Sequence, residues 1–92
     1  MPEILNDEAI ADNLASFRGW SVDGGQITKT YRFDTYLAGI DFAGKVARIA
    51  EDMNHHPDIL ILWRKVTLTI STHSAGGITD LDFKFAKAVD LP

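Results

Sequence analysis

The stretch Asp58-Ile59-Leu60-Ile61-Leu62-Trp63-Arg64-Lys65-Val66-Thr67-Leu68-Thr69-Ile70-Ser71-Thr72-His73 decides the fold. Its second half alternates. Val66, Leu68 and Ile70 fall on one side, and Thr67, Thr69, Ser71 and His73 on the other. That period of two belongs to a half-buried strand. Asp58 to Trp63 is instead continuously apolar from Ile59 to Leu62, which predicts a strand covered on both faces. Arg64-Lys65 fits a tight turn between them, without the Gly or Asn usual in such turns. The stretch therefore reads as an antiparallel hairpin, in which the end of the second strand returns beside the start of the first.

Moving towards the N-terminus, Pro57 ends a helix by pushing His56 out of helical geometry. That helix is predicted over 35–53, capped by Asp34 or Thr35. At about 100° per residue, Tyr36, Leu37, Ile40, Phe42, Ala43, Val46, Ala47, Ile49, Ala50 and Met53 spread over more than half its circumference. Covering one sheet face needs a stripe of only about 100°. The helix is therefore expected to touch a neighbouring helix or another subunit as well. Upstream, Ile27 to Phe33 alternates with Lys29 as the exception, and Asp23-Gly24-Gly25 signals a hairpin to a short strand at Trp20-Ser21-Val22. A first helix is predicted over 6–18, with Asn6 as N-cap, an Ile10, Leu14 and Phe17 stripe, and Gly19 as its stop. Downstream, Ser74-Ala75-Gly76-Gly77 reads as a loop. Thr79 with Asp82 then makes a capping-box start to a last helix carrying Leu81, Phe85, Ala88 and Val89. The order is α-β-β-α-β-β-α. It predicts an α+β fold: a four-stranded antiparallel sheet with three helices on one face, as a single domain over 1–92.

With 92 residues and 10.2 kDa, size scaling predicts a folded surface of about 5,300 Å² and about 64% burial. That supports one thin core and leaves no room for an enclosed cofactor, a Rossmann domain, a TIM barrel or a kinase fold. There is no cysteine, which excludes disulfides, thiol nucleophiles and zinc fingers. The net charge of −4, without a clustered Lys/Arg excess, argues against direct nucleic-acid binding. No apolar run reaches a membrane span. The acidic start MPEILNDEAIADN lacks the pattern of a signal peptide. The expectation is a cytoplasmic protein.

All three histidines lie between positions 55 and 73, and the hairpin brings His73 towards His55 and His56. Glu51 and Asp52 end the preceding helix, where acids oppose the macrodipole at a cost of about 0.3–1 kcal/mol each. Glu51 stands four residues before His55, so one more helical turn would put them on one face. A carboxylate there favours an imidazolium or fixes a tautomer. Adjacent histidines in extended chain point apart and converge poorly on one metal ion, and no HExxH spacing exists. Ser71 and Ser74 lie near His73 but lack a nucleophile elbow. Acid–base chemistry by histidines near neutral pH is what remains.

The pattern Glu51, three residues, His55-His56-Pro57, five residues, Trp63, nine residues, His73, eight residues, Asp82 resembles the signature of the pterin-4a-carbinolamine dehydratases. Gly19-Trp20, Asp23-Gly24-Gly25, Tyr31-Arg32-Phe33, Ala50 to Asp58 and Ser71-Thr72-His73 extend the resemblance over essentially the whole chain. The aliphatic run Ile59–Leu62, Trp63 for the commoner Tyr, and Arg64 for Asn depart from it. The resemblance implies the same sheet-and-helix fold, a homodimer or homotetramer, and no metal or organic cofactor. It also implies dehydration of 4a-hydroxytetrahydropterin to quinonoid dihydropterin, which recycles tetrahydrobiopterin for an aromatic amino acid hydroxylase. On this reading His55, His56 and His73 are catalytic, with His55 and His73 as acids and His56 orienting the pterin or accepting its proton. Glu51 tunes His55. Pro57, Thr72, Ser74 and Ala75 line the pterin site, and Asp82 supports His73 or caps the last helix. Two other readings compete. One is a non-catalytic interaction module, since animal relatives serve as dimerisation cofactors of a homeodomain transcription factor and others assist protein assembly. The other is a zinc hydrolase.

Overall fold

A computed structural model describes residues 3–91. In chain order it has α1 (Asp7–Leu14), β1 (Ser21–Asp23), β2 (Gln26–Arg32), α2 (Tyr36–Met53), β3 (Asp58–Leu62), β4 (Lys65–Ile70), a one-turn 3-10 helix (His73–Ala75) and α3 (Asp80–Asp90). The four strands form one antiparallel sheet in the order β1-β2-β4-β3, matching the predicted element order.

The alternation in β4 sets which face is which. Val66, Leu68 and Ile70 are buried. They share one core with Ile27 of β2, Val46 and Ala50 of α2, and Phe83, Phe85 and Ala86 of α3, against which Ile10 and Leu14 of α1 pack. All three helices therefore cover the same face. Gly39 packs α2 against the sheet, where a Cβ would meet Val66 Cγ2 at 3.4 Å, near the lower edge of ordinary contact. The opposite face carries threonines in register. Thr28 and Thr69 hydroxyls meet at 3.1 Å, and those of Thr30 and Thr67 at 2.8 Å. Lys29, the exception in the alternation, points to the helix side but ends on Asp90 of α3 at 3.1 Å. Asp90 also accepts from Trp20 Nε1 at 2.8 Å and Tyr31 OH at 2.5 Å. Burial, followed by the bond to Asp90 and its negative charge, holds the Tyr31 phenol well above the usual tyrosine value.

Several boundaries differ from the sequence reading. α1 ends at Leu14, and i→i+3 bonds carry the chain on to Phe17. The turn in the decisive hairpin is Trp63-Arg64, because Leu62 pairs with Lys65. The Arg64 guanidinium lies 4.6 Å from the Trp63 ring centroid, a cation–π contact. Pro57 is not the stop of α2. Asn54, at φ 49°, ends the helix in left-handed geometry, with Asn54 N–H donating to Glu51 O and His55 N–H to Ala50 O. This is a Schellman closure. β4 ends at Ile70, so His73 is not a strand residue. Finally, β3 is not covered on both faces. As an edge strand it leaves Leu60 54% and Leu62 40% exposed, with Trp63 71% exposed at the turn. Leu37, at the start of α2, is 69% exposed. The chain's 6007 Å² of surface exceeds the roughly 5,300 Å² expected from its size.

Candidate active site

The Schellman closure after α2 delivers two histidines in succession to the junction with β3. Across the sheet, β4 leads through Ser71 into a loop closed by pairing of Thr72 with Gly77. Thr72 N–H donates to Gly77 O at 2.8 Å. Gly76, at φ 81°, permits the tight return. This loop lifts His73 to an exposed position. Between these elements and the β1–β2 turn lies a cleft of about 750 Å³. His56 and Asp58 line it from the β3 side, Thr69 to Ser71 and His73 from the β4 side, and Gly24 to Gln26 from the turn. Gly76 and Gly77 close it.

His56 and His73 thus share the cleft, whereas His55 turns away from it. His55 Nε2 lies 2.6 Å from Asp82 Oδ1, with the two side chains 11% and 0% exposed. His56 Nε2 lies 2.5 Å from Glu51 Oε2, with side chains 54% and 75% exposed. Both carboxylates therefore meet a different histidine from the one expected. Glu51 serves His56 rather than His55, because α2 ends before His55 can complete the i, i+4 turn. Asp82 serves His55 rather than His73. It also accepts the Thr79 N–H at 2.9 Å, completing the capping box at the start of α3.

Thr72, expected to line the site, is buried and bonded inward to Thr79 and Asp82. Pro57, Ser74 and Ala75 border the cleft in sequence but are not among its lining residues. Gln26, Asp58 and Ser71 line it without having been predicted. The strand register was the available signal for Asp58, which pairs with Thr69 and so stands near the exit of β4. Among the described residues, no group of three or more His, Asp or Glu side chains is placed to hold a metal ion. Among them too, no helix is long and apolar enough to cross a membrane.

An antiparallel sheet backed by helices, with two imidazoles on one open cleft and a carboxylate on one of them, defines a small α+β protein equipped for proton transfer. Comparison with known proteins narrows this. Residues 3–91 match the family model described as pterin 4 alpha carbinolamine dehydratase. The chain belongs to that family of hydro-lyases. It is 46% identical over 90 residues to a protein of Roseiflexus castenholzii provisionally named pterin-4-alpha-carbinolamine dehydratase, covering 98% of this chain and 97% of that one. A protein of Mycobacterium tuberculosis with the same provisional name is 44% identical over 87 residues, covering 95% and 93% of the two chains. The crystal structure of a transcriptional coactivator/pterin dehydratase from Brucella melitensis superposes with a TM-score of 0.90 at 31% identity, covering 96% of each chain. The same fold, at a TM-score of 0.62 and 22% identity over 77% of this chain and 82% of the other, occurs in a pterin dehydratase-like protein identified as a RuBisCO assembly factor in the alpha-carboxysome.

Proposed function

We propose that the protein dehydrates 4a-hydroxytetrahydropterin to quinonoid dihydropterin by histidine acid–base catalysis, in the recycling of tetrahydrobiopterin beside an aromatic amino acid hydroxylase. The observation that carries this reading is that His56, paired with Glu51, and His73 line one cleft. The reaction removes the proton from N5 and the hydroxyl from C4a. The N5–H electrons form the C4a=N5 double bond, and the hydroxyl leaves as water. With His56 Nε2–H donated to Glu51, its Nδ1 lone pair is free to accept the N5 proton, and the carboxylate stabilises the imidazolium that forms. His73 gives the proton to the departing hydroxyl. Each transfer is worth about 10²–10⁴-fold. The side chains of Gln26, Asp58 and Ser71 and the glycine backbone around the cleft offer donors and acceptors to the polar edge of a pterin. At about 750 Å³ the cleft falls in the usual range for small-molecule sites, about 300–1,000 Å³. His55, bonded to Asp82, supports the segment that carries His56.

The exposed Leu60, Leu62 and Trp63 at the β3 edge, and Tyr36 and Leu37 on α2, fit burial against further copies of the chain, as a homodimer or homotetramer. The competing reading is a binding role such as that of the transcriptional coactivator/pterin dehydratase of Brucella melitensis. That role makes no demand on Glu51, His56 and His73, and their arrangement favours the enzyme. Purified protein is expected to accelerate decay of 4a-hydroxytetrahydropterin without added metal. An unaccelerated decay overturns the reading.

A further inference from the structure

Beneath the cleft runs a buried polar chain that proton transfer itself does not use. Thr72 and Thr79 hydroxyls meet at 2.5 Å, Thr72 Oγ1 lies 3.0 Å from Asp82 Oδ2, and Asp82 Oδ1 lies 2.6 Å from His55 Nε2. Thr72, Thr79 and Asp82 are 3%, 0% and 0% exposed. Donor counting fixes the direction. A carboxylate only accepts, so Thr72 spends its single proton on Asp82. Thr79 must then donate to Thr72, and its own oxygen is left to accept the Leu81 N–H at 3.2 Å. Each hydroxyl donates once and accepts at least once, and no buried side-chain polar atom among the described residues lacks a partner.

The two ends of this chain matter for the cleft. His55 immediately precedes His56, and Thr72 immediately precedes His73. The chain therefore ties together the neighbours of both cleft imidazoles, which come from opposite sides of the cleft. We propose that Thr79 and Thr72 are positioning residues. Through Asp82 and His55 they form a strut that fixes how His56 and His73 stand relative to each other. A capping Thr79 alone would need only its bonds to α3. The bond to Thr72 reaches outside the helix and has no capping purpose. The inference rests on the reading of His56 and His73 as the working imidazoles.

The test compares Thr79→Val, Thr79→Ser and Thr72→Val. Thr72→Val leaves the cap of α3 intact, so it separates the strut from helix capping. Dehydration of 4a-hydroxytetrahydropterin is expected to lose about 10–100-fold in kcat in both valine variants, with KM within about twofold, as for other loosened support shells. Thr79→Ser restores the wild-type kcat. Histidine ring ¹⁵N spectra supply a readout that needs no turnover. The bonded His55 Nε2–H signal is expected at its wild-type position in Thr79→Ser and displaced, together with the His56 and His73 signals, in both valine variants. Valine variants that melt lower but keep wild-type kcat and unshifted ring signals overturn the strut. If wild type itself does not turn over, the functional reading falls. The ring spectra then decide the strut alone: shifted His56 and His73 signals uphold it, and unshifted ones overturn it.

Discussion

The two carboxylate–imidazole pairs have nearly equal lengths, 2.5 Å for Glu51–His56 and 2.6 Å for Asp82–His55. Cutting them is predicted to have opposite consequences. In Asp82→Ala, three donors lose their acceptor: His55 Nε2, Thr72 Oγ1 and Thr79 N–H. Each orphaned buried group costs about 1–3 kcal/mol, and breaking a buried pair typically costs about 3–5 kcal/mol. A chain of this length is stable by about 5–14 kcal/mol, so a large part of the total is lost. The expected drop in Tm is about 12–40 °C. Glu51 is 75% exposed and His56 54% exposed, and surface pairs contribute about 0.2–1 kcal/mol. Glu51 also sits in the last turn of α2, where its charge opposes the macrodipole by about 0.3–1 kcal/mol. These terms offset, so Glu51→Ala is expected to melt within a few degrees of wild type. Its damage falls instead on turnover, because His56 loses the partner that orients it and stabilises the imidazolium formed in the reaction. Thermal and urea unfolding of both variants in one buffer, beside their dehydration rates, measures this. Equal losses of stability, or an Asp82→Ala variant that melts like wild type, would refute the reasoning.

Three further outcomes are expected. His56→Ala and His73→Ala each lose about 10²–10⁴-fold in dehydration rate while keeping the wild-type circular dichroism and a cooperative melt. Replacing Leu60 and Trp63 by Ser shifts the protein towards monomer in sedimentation velocity, because both are exposed at the β3 edge; an unchanged assembly would remove that edge from the interface. Tyr31 keeps its proton in the fold beyond the ordinary tyrosine value, about 10. The unfolded chain gives up that proton first, so this contribution is full below about pH 10 and declines as pH rises above it. Urea midpoints at about pH 9 and about pH 11 should therefore fall more in wild type than in Tyr31→Phe.

Most of the fold could be read from local pattern. The alternation of Val66, Leu68 and Ile70 assigned the core face of β4, and the composition of α2 anticipated surface beyond one sheet. The hairpin also placed His56 and His73 near each other. What escaped the reading was non-local or turned on a single dihedral. Spacing assigned Glu51 to His55, but Asn54 enters the left-handed region and rotates the next residues off the helix, so His56 receives the carboxylate. Asp82 is 27 residues from His55, and no local rule connects them; its capping box was visible, its second oxygen was not. The family resemblance made Thr72 a cleft residue, yet it is buried and bonded inward to Thr79 and Asp82. The strand β3 read as covered because a continuous apolar run usually marks burial on both faces, yet its place at the sheet edge, set by non-local pairing, leaves Leu60 and Leu62 exposed.

The central claim is tested most directly by following 4a-hydroxytetrahydropterin at neutral pH, in the presence of a metal chelator, with wild type and with the His56→Ala/His73→Ala double variant. The account predicts rapid formation of quinonoid dihydropterin with wild type and a rate near the uncatalysed one with the folded double variant. Equal rates for the two proteins, or a wild-type rate abolished by the chelator, would contradict it.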